Sequence, residues 1–233
     1  MLKKSMLMFF MSIGILLFAS SSYAIPIAGS SSGIFINPLG PAGMVTTGVG
    51  TSSFTWGTSA YWNTGPSSLN FAGNSFSVGT DDVFSFGSLT YFNGTILLGS
   101  QADSVDLNVT LSLTTPSGIE EDFIYDLGLI NTPNTSDPYA SADYVNLPSS
   151  MPGSFFTIDG VNYTLEFMGF GNITGSGFST IDRFHVREGS IASADLLGRV
   201  TAAETVPEPS VILLFVSGLA GLVMYRRKKS MAV

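Results

Sequence analysis

Strict alternation of apolar and polar residues in the middle of the chain most limits what this sequence can fold into. Over residues 104–114 (SVDLNVTLSLT) every second residue is Val or Leu, and the residues between them are Ser, Asp, Asn or Thr. Side chains of a β-strand point alternately to the two faces of a sheet, so the pattern predicts a strand with one buried and one solvated face. Between residues 25 and 205 no segment has the period of an amphipathic helix.

A hairpin is predicted over residues 155–167 (FFTIDGVNYTLEF), where Asp159-Gly160 separates two alternating runs. This dipeptide favours a type I′ turn because both central positions of that turn need positive φ. The turn places Ile158 opposite Val161 and Phe156 opposite Tyr163, with Leu165 on the same apolar side. Further strands are predicted at residues 53–56, 67–71, 83–92, 122–129, 143–147, 181–186 and 191–200.

About nine or ten short strands separated by Gly, Pro and Asn turns predict an all-β fold. We expect a single antiparallel β-sandwich over residues 25–205, jelly-roll-like, because each strand has one apolar face to bury. A closed barrel stays open as an alternative, since periodicity does not fix topology. The absence of an internal repeat argues against a propeller or a β-helix.

Charge is distributed very unevenly along the chain. Residues 25–206 carry three arginines against 16 acidic residues, a net charge of −13, whereas all four lysines lie near the two ends. A body this acidic repels phosphate backbones, so we expect no nucleic-acid partner. The absence of cysteine excludes disulfides, thiolate metal sites and a cysteine nucleophile.

The first 24 residues have the organisation of a signal peptide. Lys3 and Lys4 precede an apolar run over residues 6–18, and small residues lead to Ala24. The run of about 13 residues is too short to span a bilayer, which needs about 20. We therefore expect export through the Sec machinery, with signal-peptidase cleavage between Ala24 and Ile25.

A second apolar segment lies near the other end, within residues 206–233. Residues 210–225 (SVILLFVSGLAGLVMY) contain no charge and lead directly into Arg226, Arg227, Lys228 and Lys229. At 1.5 Å per residue the segment reaches about 24 Å, which predicts a short single transmembrane helix. The basic cluster acts as a stop-transfer signal that stays in the cytoplasm, so the acidic body lies on the far side of the membrane.

Two prolines precede this helix, in the sequence Val206-Pro207-Glu208-Pro209. They predict an extended segment that an enzyme can reach, and they stop the helix from extending into the body. The order of motif, apolar segment and basic tail resembles the PEP-CTERM sorting signal of Gram-negative bacteria, also labelled an ice-binding-protein C-terminal domain. The resemblance implies processing by a membrane-embedded exosortase. A permanent membrane anchor with a proline-rich linker is the alternative.

The body has a looser resemblance to a second family. The segments Phe54-Thr55-Trp56-Gly57 and 84–96 (FSFGSLTYFNGTI) are similar to the choice-of-anchor K domain of THxN proteins. Tyr91 stands where that family has its histidine, which removes the case for a metal or acid/base role there. Thr90 and Asn93 are then expected to be turn-forming residues at a strand end.

Two groups of residues are candidates for binding chemistry. His185 is the sole histidine and alternates onto the face of Arg183 and Arg187, opposite Phe184 and Val186. This stripe either grips an anionic polysaccharide or pairs with the abundant carboxylates. Tyr61, Trp62 and Trp56 could form a sugar platform, although we expect Trp56 to pack in the core.

The carboxylate groups Asp81-Asp82, Asp103 with Asp106, and Glu120-Glu121-Asp122 could bind Ca²⁺ or serve as a glycosidase pair. We expect solvated acidic turns instead, since no loop has the spaced oxygen ligands that Ca²⁺ requires. No catalytic, cofactor or metal residue is nominated, and no enzyme activity is expected.

The sequence therefore predicts an exported, envelope-sorted, non-enzymatic protein of a Gram-negative cell surface or extracellular matrix. Its role would be structural or adhesive, in an exopolysaccharide or biofilm context, after transient anchoring in the inner membrane. The alternative is a carbohydrate-binding or carbohydrate-active β-sandwich protein with a defined sugar site.

Overall fold

The computed structural model describes residues 26–60, 64–137, 139–147, 154–158, 160–180 and 182–202. These ranges contain fourteen β-strands and no helix. In chain order the strands are β1 (Ile27–Leu39), β2 (Thr46–Thr47), β3 (Ser53–Trp56), β4 (Ser67–Gly73), β5 (Ser75–Val78), β6 (Val83–Phe92), β7 (Ser104–Thr115), β8 (Ser117–Ile130), β9 (Asp143–Asn146), β10 (Ser154–Ile158), β11 (Val161–Gly175), β12 (Gly177–Ser179), β13 (Arg183–Val186) and β14 (Ile191–Ala202).

The strands form two antiparallel sheets of seven strands each. Sheet 1 has the order β12-β13-β9-β8-β7-β1-β5, and sheet 2 has the order β10-β11-β14-β6-β4-β3-β2. The two sheets share one hydrophobic core, to which both contribute aromatic rings. The ring centres of Phe35 in sheet 1 and Phe54 in sheet 2 are 5.9 Å apart. Those of Tyr125 in sheet 1 and Phe86 in sheet 2 are also 5.9 Å apart. The predicted all-β, two-sheet architecture is confirmed, and the jelly-roll connectivity stays a prediction.

Local alternation predicted most of these strands well. In β7 the residues Val105, Leu107, Val109, Leu111 and Leu113 are buried, as expected for one apolar face. The hairpin is also confirmed, because Ile158 pairs with Val161 and Phe156 with Tyr163. Gly160 has a φ of 82°, the left-handed value that the predicted turn requires.

The predicted number of strands, nine or ten, is too small, because the sequence did not predict β1, β2, β5 and β12. The longest of these, β1, has the sequence IAGSSSGIFINPL, whose glycines and three consecutive serines break the alternation. Its pairing with β5 and β7 makes it a strand. A Cβ at Gly29 would lie 2.4 Å from the carbonyl oxygen of Ser112, so glycine allows the two backbones to approach.

The first and last described residues lie at the same end of the molecule. Ile27 pairs with Val78, and three residues later the amide of Asp81 donates to the carbonyl oxygen of Val200 at 2.8 Å. We call this the proximal end. The distal end is formed by the turns 93–103, 131–142 and 187–190, which follow β6, β8 and β13.

Several predicted segments lie outside the described residues. They are the signal peptide with its Ala24–Ile25 cleavage site, the motif Val206–Pro209, the apolar segment 210–225 and the basic tail 226–229. Among the residues that are described, no helix is long and apolar enough to cross a membrane.

Candidate functional site

The buried polar side chains are concentrated at the distal end. Ser67, Asn93, Ser100, Ser141 and Asp143 are the polar or charged residues found buried among those described, and each lies in or beside a distal turn. The rest of the core is apolar or aromatic. Buried polar groups require specific hydrogen bonds, so this end of the molecule is the one where side-chain chemistry is most constrained.

Asn93 joins the two sheets at this end. Its side chain is fully buried, and its Nδ2 donates to the carbonyl oxygen of Val186 in sheet 1 at 3.0 Å. Its backbone bonds the turn that follows β13, since Asn93 N donates to Ser190 O at 3.0 Å and Gly189 N donates to Asn93 O at 2.8 Å. The position after β6 agrees with the predicted strand end, but the side chain bridges the sheets instead of capping a local turn.

The neighbouring residues differ from their predicted roles. Thr90 lies inside β6, where its hydroxyl is 2.7 Å from that of Ser193, so the prediction of a turn residue is wrong. Alternation along β6 turns Tyr91 into the core, where its ring stacks 5.6 Å from Trp56. Burial, with the nearby carboxylates of Asp143 and Glu188, raises the pKa of Tyr91. Tyr91 is therefore neutral and structural.

Asp143 is a buried carboxylic acid at the distal end of the core. It begins β9 and shares the inward face with Val145. Burial raises the pKa of Asp143 to about 6. The amide and the hydroxyl of Thr132 donate hydrogen bonds to its carboxylate at 2.7 Å and 3.0 Å. These bonds favour the charged form and lower the pKa, but burial has the larger effect. The sequence carried no signal for this environment, because Asp143 was predicted only as the polar first residue of a short strand.

A cluster of rings and cations occupies the outer face of sheet 1 near the distal end. Strand pairing aligns Ile130, Tyr144, His185 and Phe178 in one row across β8, β9, β13 and β12. The imidazole of His185 stacks on the Phe178 ring, with ring centres 4.5 Å apart, and its centre is 4.6 Å from that of the Tyr144 ring. Tyr139 extends the row, 5.8 Å from Phe178. We call Tyr139, Tyr144, Phe178, Arg183, His185 and Arg187 the Arg–aromatic cluster.

Both arginines of the cluster lie over aromatic rings. The guanidinium carbon of Arg187 is 4.3 Å from the centre of the Tyr139 ring, and its Nη2 donates to the Tyr139 hydroxyl at 2.6 Å. The guanidinium carbon of Arg183 is 5.2 Å from the Tyr144 ring. Burial, together with the charge of Arg183, lowers the pKa of His185. Arg183 and His185 lie on the outer face of β13, opposite the buried Phe184 and Val186, as predicted. Arg187 follows the end of the strand and joins the cluster through Tyr139.

The carboxylates that were candidates for Ca²⁺ or glycosidase chemistry lie apart at the surface, and the prediction of acidic turns is wrong for Asp106 on β7 and for Glu120, Glu121 and Asp122 on β8. Asp82 accepts from the amide of Gly79 at 3.0 Å in the turn before β6, whereas Asp106 accepts from Asn37 Nδ2 at 2.9 Å on β7. Asp122 accepts from the hydroxyl of Thr110 at 2.5 Å on the neighbouring β8. Within the described ranges no three His, Asp or Glu side chains come together as a metal site.

A row of small uncharged polar residues crosses the outer face of sheet 2, which elsewhere carries Asp195 and the Arg199–Glu166 ion pair. The row crosses five strands, since Ser53 pairs with Asn70, Asn70 with Thr90, Thr90 with Ser193 and Ser193 with Thr174. These side chains are exposed or half-buried. At about 4.8 Å between strands, the row is about 19 Å long. It offers hydroxyl and amide groups that can donate and accept hydrogen bonds.

Trp56 is buried between the rings of Phe54 and Tyr91, so its predicted place in the core is confirmed. Tyr61 and Trp62 lie outside the described residues. The sequence missed Tyr139, Tyr144 and Phe178 as partners of the arginines. Each belongs to a different segment, and only the pairing of β12, β13 and β9 brings them together.

Comparison with known families finds one match. The PEP-CTERM protein-sorting motif matches residues 205–228, beginning three residues after the end of β14. The motif identifies an exported protein that is sorted to the Gram-negative cell envelope and processed by exosortase. No curated protein matches the sequence. The resemblance of the body to the THxN family stays a prediction.

Proposed function

We propose that this chain is a non-enzymatic structural or adhesive protein that associates with extracellular polysaccharide after exosortase processing. The observation that carries the proposal is the sorting motif at residues 205–228, which directs the folded body to the cell envelope. After release, a compact body with one apolar core would act through its outer surface. In this role the domain contributes contacts with the matrix and no chemical step.

The outer face of sheet 2 supports an association with sugars. The row from Ser53 to Thr174 is uncharged, and sugar hydroxyls are hydrogen-bond donors and acceptors of the same kind. Individual neutral hydrogen bonds at a surface contribute little net free energy, because water competes for the same groups. Association would therefore depend on many contacts along one polymer, which suits a matrix component.

The position of the last described residue supports an orientation for this protein. The last described residue, Ala202, lies at the proximal end, and the sorting motif begins at residue 205. While the segment 210–225 spans the inner membrane, the proximal end would face the bilayer. The distal end would then point away from the membrane, so the turns and the Arg–aromatic cluster face the periplasm.

Processing steps complete the proposal. Signal peptidase would cleave between Ala24 and Ile25 after Sec-dependent export, and Arg226–Lys229 would hold the extreme C-terminus in the cytoplasm. Cleavage near Val206–Pro209 would then free the body for the cell surface or the matrix. The alternative of a permanent anchor differs from this only in the last step.

Co-sedimentation with isolated exopolysaccharide tests the proposal. We expect the mature exported protein to sediment with the polymer, and to remain soluble after periodate has oxidised the vicinal diols of the sugars. A soluble protein in the presence of intact polymer would contradict the polysaccharide association. Release of new reducing ends during the incubation would contradict the non-enzymatic role and favour a carbohydrate-active protein.

A further inference from the structure

We propose that the Arg–aromatic cluster binds the carboxylate groups of an acidic polysaccharide. The inference rests on the proposed function for the class of polymer, and it adds the site and the chemistry of recognition. Arginine presents a planar fork of N–H donors that matches a carboxylate, and the cluster holds two such forks on one face of sheet 1.

The rings hold the two guanidinium groups in place before any ligand arrives. Arg187 is fixed by the Tyr139 ring and hydroxyl, and Arg183 lies over Tyr144. Tyr139 and Tyr144 are in turn linked through the stacked pair of Phe178 and His185. A side chain that is already ordered loses less entropy on binding, so such a cluster binds better than two mobile surface arginines.

Arg187 is also incompletely paired. Two ion pairs occur among the described residues, Arg183 with Asp182 at 3.9 Å and Arg199 with Glu166 at 2.6 Å, and Arg187 takes part in neither. Its Nε is buried without a hydrogen-bond partner. The nearest acidic residue in sequence, Glu188, already accepts a hydrogen bond from Asn134 at 3.3 Å. Arg187 is thus outside both ion pairs of the described residues, although residues 25–206 have a net charge of −13.

The acidic residues of β7 and β8 lie too far away to cancel the attraction. Two acidic residues are nearer to the cluster: Asp182 pairs with Arg183, and Glu188 accepts a hydrogen bond from Asn134. Asp106, Glu120, Asp122 and Asp126 are on the half-buried or exposed outer positions of β7 and β8. Two strand spacings separate β8 from β13, and three separate it from β12, which gives about 10 Å and 14 Å. Both distances exceed the screening length of about 8 Å at physiological ionic strength. A ligand at the cluster therefore experiences the local arginines more than the distant carboxylates.

Affinity electrophoresis of the mature protein in gels containing polygalacturonate or neutral dextran tests the inference. We expect retardation by polygalacturonate, and a loss of about fivefold in affinity for each of Arg183→Gln and Arg187→Gln. Arg187→Lys keeps the charge but not the fork, so it should bind with intermediate affinity. Arg199→Gln removes the same charge from the opposite sheet, where Arg199 pairs with Glu166, and should leave retardation unchanged.

The outcomes separate this inference from the proposed function. Equal loss of binding in Arg187→Gln and Arg199→Gln would overturn the site, because net charge alone would then explain the effect. Retardation by dextran that no variant changes, without added affinity for polygalacturonate, would overturn the inference and leave the proposed function standing. Absence of retardation in every gel would overturn both. Circular dichroism of each variant verifies that the fold is retained.

Discussion

The side-chain amide of Asn93 donates a hydrogen bond of 3.0 Å to the backbone carbonyl oxygen of Val186 and so ties sheet 2 to sheet 1. The bond joins residues 93 positions apart in the sequence. It closes the distal end above the rings of Tyr91 and Phe184, which lie 6.5 Å apart in the core. Because Asn93 is fully buried, nothing in solvent can replace this contact.

Replacing Asn93 by Ala should therefore destabilise the protein markedly. The variant loses the bond and leaves the Val186 carbonyl oxygen buried without that donor, at a cost of about 1–3 kcal/mol. The expected decrease in Tm is on the order of 5 °C for a domain of this size. Differential scanning calorimetry measures it, with Asn70→Ala as the control because Asn70 is exposed on β4. Equal Tm values for the two variants would contradict the bridging role.

Asp143 should make stability depend on pH in the direction opposite to that of an ion-paired carboxylate. Its pKa rises from 3.8 to about 6 on folding, mainly through burial. The native state therefore binds the proton more tightly than the unfolded state does. The resulting stabilisation, about 3 kcal/mol, is fully present below about pH 4 and is lost as the pH rises through about 6.

Asp143→Asn tests this dependence directly. The Asn side chain keeps an oxygen to accept from Thr132 and carries no charge at any pH. We expect the Tm of the wild type, relative to that of the variant, to decrease as the pH increases from 4 to 7. Glu188→Gln is the control, since Glu188 is a lesser cause of the same pKa shift. Parallel Tm curves for wild type and Asp143→Asn would show that the acid is ionised without penalty.

Adjacent positions in β13 should respond very differently to substitution. Phe184 is fully buried against Tyr91 and Phe170, so Phe184→Ala should cost about 3–5 kcal/mol. His185 lies on the outer face, and His185→Ala should cost no more than about 1 kcal/mol. Urea unfolding followed by tryptophan fluorescence measures both. A larger decrease in the free energy of unfolding for His185→Ala than for Phe184→Ala would mean that β13 places His185 in the core and Phe184 on the outer face.

The strands with strict alternation were predictable because each buries one face, and local sequence alone encodes that. The predicted residues 53–56 and 83–92 coincide with β3 and β6. By contrast, β1 is a strand because of its partners, and its Gly29 is placed by a close approach to Ser112 that no local pattern reports. Prediction of such strands requires the topology first.

The same distinction explains the candidate site. Alternation was enough to place Arg183 and His185 on the outer face of β13. The rings that hold these side chains come from β9, β12 and the turn 131–142, which adjoin β13 only in the folded sheet. Likewise, the burial of Asp143 depends on the opposite sheet, since its environment includes Tyr91 of β6. Long-range contacts of this kind leave no local signature.

Exosortase processing should depend on the two prolines before the apolar segment. We expect the wild-type mature protein to begin at Ile25 and to end within residues 206–210, by intact-mass spectrometry of the envelope and matrix fractions. Replacing both Pro207 and Pro209 by Ala lets helix continue across the site, because Ala favours helix where Pro forbids it. That variant should keep its C-terminus at Val233 and stay in the membrane fraction. Asn70→Ala, far from the motif, should be processed like wild type, and a wild-type matrix protein that ends at Val233 would identify the segment as a permanent anchor.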